Sequence, residues 1–374
     1  MSGQRPVVMH AVGDIALGDH PLCAGFGTHS RSRSRPPAFL FEQVSGLLKR
    51  ADLRFGNLEC TISERGKRAN DFHSVQMRGW PEYLKGIVSS CFEVLNVANN
   101  HSMQHGREPF IETLSMLQQA GVKVCGVDGG SGTKPVTISV HDLHLVFLGY
   151  SLRPRQYFTA PPLYAEGSHD GMLADIRSVR KDNDIVIVSL HWGDEFIQRP
   201  SPVEVQQARE LIDGGADLIV GHHPHVLRGV ERHGRGWIVY SLGNFVCDMI
   251  WAEPLRETAI CECVLTASGV ESVKLIPARI NDDYQPVLLS GASAQRLDEK
   301  IRQMSDGLAS VSSSAAGLAD YQKAAEHELD NQRAQSHRYF LKNSYRFPPR
   351  ILAAQLATYV RNRFSDLGLS KRQA

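Results

Sequence analysis

The sequence predicts an α/β protein with largely parallel sheets, and two observations carry that expectation. Short apolar runs, each halted by a turn, recur along the chain with helical patterns between them. Residues 184–225 also spell out one complete strand–helix–strand unit. Its helix opens at Ser201-Pro202-Val203-Glu204, a capping box with proline at the first helical position. It runs through "VQQARELID" and stops at Gly214-Gly215. Two strands joined by such a crossover lie parallel.

The other elements follow in order. "VVMHAV" (7–12) reads as a strand and "FLFEQVSGLLKR" (39–50) as a helix. "DLRFG" (52–56), "FEVLNVA" (92–98) and "VKVCGV" (122–127) read as strands, with a helix near 107–120. "VTISVHDLHLVFLGY" (136–150) reads as two strands joined at a tight turn, and 184–192 and 237–243 are strands again. From about residue 281 the chain turns polar, rich in small residues and helix-leaning. The expected division is a domain over 1–280 and a helical appendage over 281–374. Within the appendage, "ILAAQLATYVRNRF" (351–364) gathers Leu352, Leu356, Tyr359 and Val360 on one helical face. Arg346, Arg350, Arg361, Arg363, Lys371 and Arg372 make that end basic. It suits docking on the main domain or peripheral contact with an anionic membrane surface.

Composition narrows the function. With 41 Lys+Arg against 40 Asp+Glu, net charge is +1, and no global field favours nucleic acid. The seven cysteines are scattered without a C-x-x-C pair, which points to reduced thiols, not a disulfide framework or zinc ribbon. His10 and Asp14 interrupt the first apolar run, and no apolar run is long enough to span a bilayer. A cytoplasmic protein without signal peptide or transmembrane segment is the expectation.

Polar residues fall at the ends of the expected strands. The first ends at Gly13-Asp14, the second at "GNLE" with Asn57 and Glu59, the third at "NNH" with Asn99, Asn100 and His101. The strand 184–190 ends at His191, and 217–220 runs into His222, His223 and His225. Ligands of open α/β sheets bind beyond the carboxyl ends of strands. The donors are carboxylate, carboxamide and imidazole, without thiolate, which suits divalent ions such as Mn, Fe or Zn. Five or six donors exceed the needs of one tetrahedral ion and fit two bridged by a carboxylate. Singly, each asparagine also reads as a turn residue, His191 as a packed histidine and His222 as a residue holding its turn.

"GDIALG", "FGNLEC", "NVANNHSMQHG", "SLHWGDEF", "LIDGGADLIVGHHPHVLRGVE" and "IVYSLGNFVCD" resemble, in order, the motifs of the CapA family. That family is the poly-γ-glutamate capsule-synthesis (PGA_cap) group of the calcineurin-like metallophosphoesterases. The resemblance spans about 7–280 and implies a four-layer α/β/β/α sandwich with a metal centre at the sheet ends. It implies metal ligation by Asp14, Glu59 (bridging), Asn100, His191, His223 and His225, with the last two on different ions. It makes His101 the proton donor to the leaving group and puts Asn57, His222 and Asn244 behind the ligands. Three positions depart from the pattern. Ala16 stands where the wider superfamily has a histidine, and Ser102 and Gln104 stand where acids would orient His101.

The expected function is metal-dependent hydrolysis of a phosphoester or γ-glutamyl-type amide in capsule or exopolymer synthesis, on an anionic small-molecule or polymer substrate. A capsule-synthesis complex is the expected partner. Arg31, Arg33 and Arg35 in "RSRSRPP" suit carboxylate or phosphate recognition or, alternatively, a solvated loop. Trp192 is a candidate substrate wall or a packed core residue, and Glu195 a further substrate contact. The competing expectation, prompted by Ala16 and Gln104, is a non-catalytic accessory protein that binds an anionic polymer through a degenerate site.

Overall fold

The structure, a computed structural model, describes residues 5–68, 72–74, 76–130, 132–158, 160–353 and 356. The chain begins with β1 (Val7–Ile15), α1 (Thr28–Ser32), α2 (Ser45–Leu48), β2 (Leu53–Leu58), β3 (Thr61–Ile62) and β4 (Arg78–Gly79). It continues through α3 (Tyr83–Ser89), β5 (Val94–Asn96), α4 (Arg107–Gln119), β6 (Lys123–Cys125), β7 (Val136–Val140) and β8 (Leu143–Ser151). Next come α5 (His169–Val179), β9 (Ile185–His191), α6 (Pro202–Asp213), β10 (Leu218–His222), β11 (Val230–His233), β12 (Gly236–Val239) and β13 (Asn244–Val246). The last elements are α7 (Glu253–Arg256), β14 (Glu257–Thr266), β15 (Gly269–Ile280), β16 (Pro286–Leu288), α8 (Gly291–Gly307) and α9 (Ala315–Asn343).

These strands make a mixed α/β fold around two large sheets. The first runs in the order β16-β15-β14-β1-β2-β5-β6 with β13 also on β1, the second β11-β12-β10-β9-β8-β7. The predicted β9–α6–β10 unit is present, its strands parallel and its capping box formed by Ser201 and Glu204. The sheets are less parallel than expected, because β1–β14, β14–β15 and β15–β16 are antiparallel, as are the edge strands β7 and β11. The long β14–β15 hairpin had no counterpart in the sequence reading. Its short connection lets two strands pair antiparallel without a helix crossover.

The expected helix over 39–50 is broken instead into a 3-10 turn at Phe39–Phe41 and the one-turn α2. Phe39, Leu40 and Phe41 are all buried, and three consecutive apolar side chains cannot share one face of an α-helix. "RSRSRPP" is likewise not wholly loop, since α1 runs through Ser32.

Three apolar clusters order the layers. One joins the facing sides of the sheets, with Met9, Phe55 and Val94 of the first against Phe147, Ile187 and Val220 of the second. Another lies between the first sheet and Ile87, Phe110 and Leu117 of α3 and α4. The third covers the far side of the second sheet with Met172 and Ile176 of α5 and Val205 and Leu211 of α6.

Beyond residue 280, β16 extends the first sheet, and Leu297 and Ile301 of α8 enter the intersheet cluster. α9 packs Tyr321 and Ala325 on Ile197, and Phe340 with the following Phe347 on Cys23, Ala24 and Phe26. Of the expected helix over 351–364, Tyr359, Val360, Arg361 and Arg363 lie outside the described residues, as do Lys371 and Arg372. Among the described residues no helix is long and apolar enough to cross a membrane. All seven cysteines are free.

Candidate metal centre

Strand register lines up the first set of side chains. Asp14 pairs with Asn57 on one side and Asn244 on the other, and Asn57 pairs with Asn96. The β1–β2 register slips between Ala11 and Asp14, an irregularity that re-aims a side chain at a sheet edge. Gly13 permits the β1–β13 approach, since a Cβ there would lie 2.0 Å from the Gly243 carbonyl oxygen. In the second sheet His191 and His222 end adjacent parallel strands in register. Both sheets therefore present polar residues at the same edge.

The loops supply the rest. The Glu59 amide donates to the Ile15 carbonyl at 3.0 Å, holding Glu59 beside Asp14. The Asn99 side chain donates to the Leu58 carbonyl at 2.9 Å and accepts from the His101 amide at 3.2 Å, which fixes the turn bearing Asn100 and His101. His223 and His225 have φ of 95° and 60°, left-handed conformations costly for non-glycine residues and concentrated at functional sites. The His223 amide donates to Asp14 Oδ2 at 3.2 Å, and the Phe196 amide to the Pro224 carbonyl at 2.8 Å.

The six expected ligands converge. His191 Nε2 lies 2.8 Å from Asn100 Oδ1 and 3.4 Å from Glu59 Oε1. His225 Nδ1 lies 3.5 Å from Asp14 Oδ2 and 3.8 Å from Glu59 Oε2. Ligand atoms of Glu59, His223 and His225 all fall within 4.8 Å of one another. Asn57 Nδ2 donates to Asp14 Oδ1 at 2.8 Å and faces His191 Nδ1 at 3.3 Å, and Asn244 Oδ1 lies 3.0 Å from His225 Nδ1. His222 Nδ1 is 3.4 Å from Asp14 Oδ1. Glu195 reaches the rim, its Oε1 3.9 Å from His223 Nε2.

The electrostatics are those of a site built for a cation. Burial and the Asp14 charge push the Glu59 carboxyl well above the usual carboxylate range. Burial opposes ionisation of Asp14 too, yet hydrogen bonds and charge from His222 and His225 prevail and hold it well below that range. Burial keeps His191 and His223 neutral, the form that ligates a metal. His225 is also buried, but Glu59 and Asp14 lift it to about 10. Both Glu59 oxygens and both His223 nitrogens are buried without a hydrogen-bond partner. Such orphaned atoms are costly, and a divalent ion would engage them. The donor set therefore fits a metal.

Other expected residues are placed differently. Trp192 does not wall the site. It is 1 % exposed in the cluster behind the second sheet, its Nε1 donating to the Tyr240 carbonyl at 3.2 Å. Alternation along the strand sends it away from the edge that His191 faces. The three arginines separate, with Arg31 paired to Asp283 and Arg33 and Arg35 lying over the Trp80 and Phe39 rings at 4.8 and 5.2 Å. His101 has an orienting group after all, because Gln104 Oε1 sits 2.7 Å from its Nδ1. Burial lowers the His101 ring to about 4.

Four residues near the centre went unnoticed in the sequence. Gln156 takes a hydrogen bond from Asn100 at 3.1 Å, and the Tyr157 ring lies 5.4 Å from that of His101. Asn96 donates to Asn57 Oδ1 at 2.9 Å. His20, whose Nδ1 accepts from the Leu22 amide at 3.1 Å, stands near His225 and His101. Asn96 was legible as the polar end of an apolar strand; the other three carry no local signal.

Fold and site together define a mixed α/β protein with a buried oxygen- and nitrogen-donor centre at the edges of two facing sheets. The pattern of the family described as bacterial capsule synthesis protein PGA_cap matches residues 8–249. The chain belongs to that family. It is 29 % identical over 310 residues to a capsule biosynthesis protein CapA of Bacillus anthracis, covering 78 % of this chain and 72 % of that protein. It is 28 % identical over 277 residues to a PGA biosynthesis protein CapA of Bacillus subtilis (strain 168), covering 72 % and 71 %. Among solved structures, a 5'-nucleotidase of Candida albicans aligns at a TM-score of 0.41 and 9 % identity, over 89 % of this chain and 59 % of that one.

Proposed function

We propose that the protein is a metal-dependent hydrolase of capsule or poly-glutamate synthesis, acting on a phosphoester or a γ-glutamyl-type amide. One observation carries this reading. Glu59, His223 and His225 converge within 4.8 Å, with the Glu59 oxygens and His223 nitrogens buried and unpaired. The names of the relatives supply the biological setting, and the three apolar clusters support a four-layer α/β/β/α sandwich. On this reading 1–280 is the catalytic domain and 281–374 its appendage.

Two ions, Mn, Fe or Zn, would be held by Asp14, Asn100, His191, His223 and His225 with Glu59 between them. Such ions lower the pKa of water and polarise the scissile centre. The chain's own groups do the rest. Asn57 and Asn244 orient Asp14, His191 and His225 through the hydrogen bonds given above. Gln104 ties down His101 Nδ1, which leaves Nε2 to take up a proton from the attacking water and pass it to the leaving group.

The test is a hydrolysis screen of metal-reconstituted protein over phosphoesters and γ-glutamyl peptides. Turnover should appear and vanish in Asp14→Ala and His223→Ala; equal turnover by those variants defeats the proposal. The competing reading, a non-catalytic accessory protein, draws on Ala16, which offers no donor beside Asp14. Less than about half an equivalent of metal after reconstitution would favour it.

A further inference from the structure

The hydrolase reading leaves unexplained what α9 does beside the loop that follows His191. Tyr321 donates to Asp194 at 2.8 Å and Glu328 accepts from the Gln198 amide at 2.8 Å, on the loop that follows His191. At its other end Tyr339 lies 6.1 Å, ring to ring, from Trp251. Between this end and the core lies a cleft of about 550 Å³.

The cleft is cationic in a chain of net charge +1. Arg31 and Arg256 line it from the core, and Arg338, Lys342 and Arg346 from the other wall. Asp282 is the acid among its lining residues, paired to Arg256 at 2.8 Å, and Asp283 at its edge pairs with Arg31. Arg346 lies over the Phe26 ring at 4.2 Å. Arg338 and Lys342 are exposed and make no ion pair among the described residues. Arg338 and Lys342 stand four residues apart on α9, about 6 Å along the helix axis and on one face, and Arg346 follows in the 3-10 turn that ends the helix.

The cleft lies near the metal centre. The Trp251 ring lies 5.0 Å from His20 and 6.5 Å from Phe196, whose ring is 6.1 Å from His225. One layer of aromatic side chains separates cleft from ligands.

We propose that this cleft binds an extended chain of carboxylates, an acidic polymer, with Arg338, Lys342 and Arg346 as its cationic wall. The polymer's identity rests on the capsule reading above; the cleft itself does not. Most of the residues involved lie beyond 249, where the family match ends. Carboxylate is favoured because the two core guanidiniums already sit in carboxylate pairs, into which an incoming acidic chain would exchange. Guanidinium matches carboxylate geometry.

The test is equilibrium binding of fluorescent poly-glutamate to the full chain, with poly-glutamine, polyphosphate and single-stranded DNA as the other arms. Poly-glutamate should bind and poly-glutamine should not. Arg338→Ala with Lys342→Ala should weaken binding about tenfold or more, and the double exchange to glutamate further still. Thermal melts matching the parent's should accompany both, since the positions are exposed. The same ranking should hold in metal-free protein, which separates this site from the metal centre. Unchanged affinity in the double variants overturns the proposal. So does tighter, α9-dependent binding of polyphosphate or DNA, which would reassign the cleft to phosphate.

Discussion

The first sheet and its loops bring Asp14, Glu59 and Asn100 to the centre, all oxygen donors, whereas the second brings His191, His223 and His225, all nitrogen donors. Each half is deficient alone. In the first, burial and the Asp14 charge drive Glu59 to hold its proton, and Asp14 stays ionised only through His222 and His225 of the second. In the second, burial leaves His191 and His223 neutral, while Glu59 and Asp14 of the first lift His225 to about 10 against its burial. The difference teaches that the site belongs to neither sheet. It forms where the intersheet core sets the two edges opposite each other, and a divalent ion would resolve the deficits of both.

The largest break comes from removing the oxygen that faces both sheets. Glu59→Gln should lose at least ~100-fold in hydrolysis, more than substitutions behind a ligand usually cost, with metal content falling in parallel. Plasma emission and rate assays on one preparation check it, and a fully metallated, active variant would contradict the bridging role. A smaller loss, roughly tenfold, is expected for Gln104→Ala, which frees the His101 ring. Gln104→Glu should instead move the pH optimum upward, because a carboxylate favours the imidazolium.

A third experiment separates the halves without the ion. In metal-free protein Glu59 has its carboxyl raised, so the native state binds more protons than the unfolded one. Its contribution to stability therefore declines as pH rises above about 4.5, the ordinary glutamate value. Metal-free Glu59→Gln should lack that decline and melt higher than the parent at pH 7, while added metal reverses the ranking. Matching melting curves at every pH would remove the idea that Glu59 is a burden without its ion. The smallest effect is Trp192→Phe, which should cost about 1–2 kcal/mol for the buried Tyr240 carbonyl left unpaired, with KM unchanged. A raised KM would restore Trp192 to the substrate wall.

Residues whose placement depends on strand ends were readable in advance, because apolar runs reveal where strands stop and parallel neighbours stop together. Asp14, Asn57, His191 and His222 are of this kind. Trp192 was misplaced because one step along a strand reverses the side chain, and a motif such as "HWGDEF" does not say which face is inward. The arginines of "RSRSRPP" were read together but point apart, since α1 and the turn after it spread them over two surfaces. Gln104 was visible, yet its amide oxygen was not credited with the task of a carboxylate. The β14–β15 hairpin escaped a reading tuned to strand–helix alternation.

By itself the sequence determined the donor chemistry, the β9–α6–β10 unit and the family, because these depend on residue type and on spacing within short segments. The tertiary structure decided which donors meet, how Asp14 and Glu59 divide their proton, and that α9 packs on the loop after His191. Those outcomes depend on contacts between segments as much as 316 residues apart, such as Cys23 with Tyr339 at 3.6 Å, and no local pattern encodes such distances.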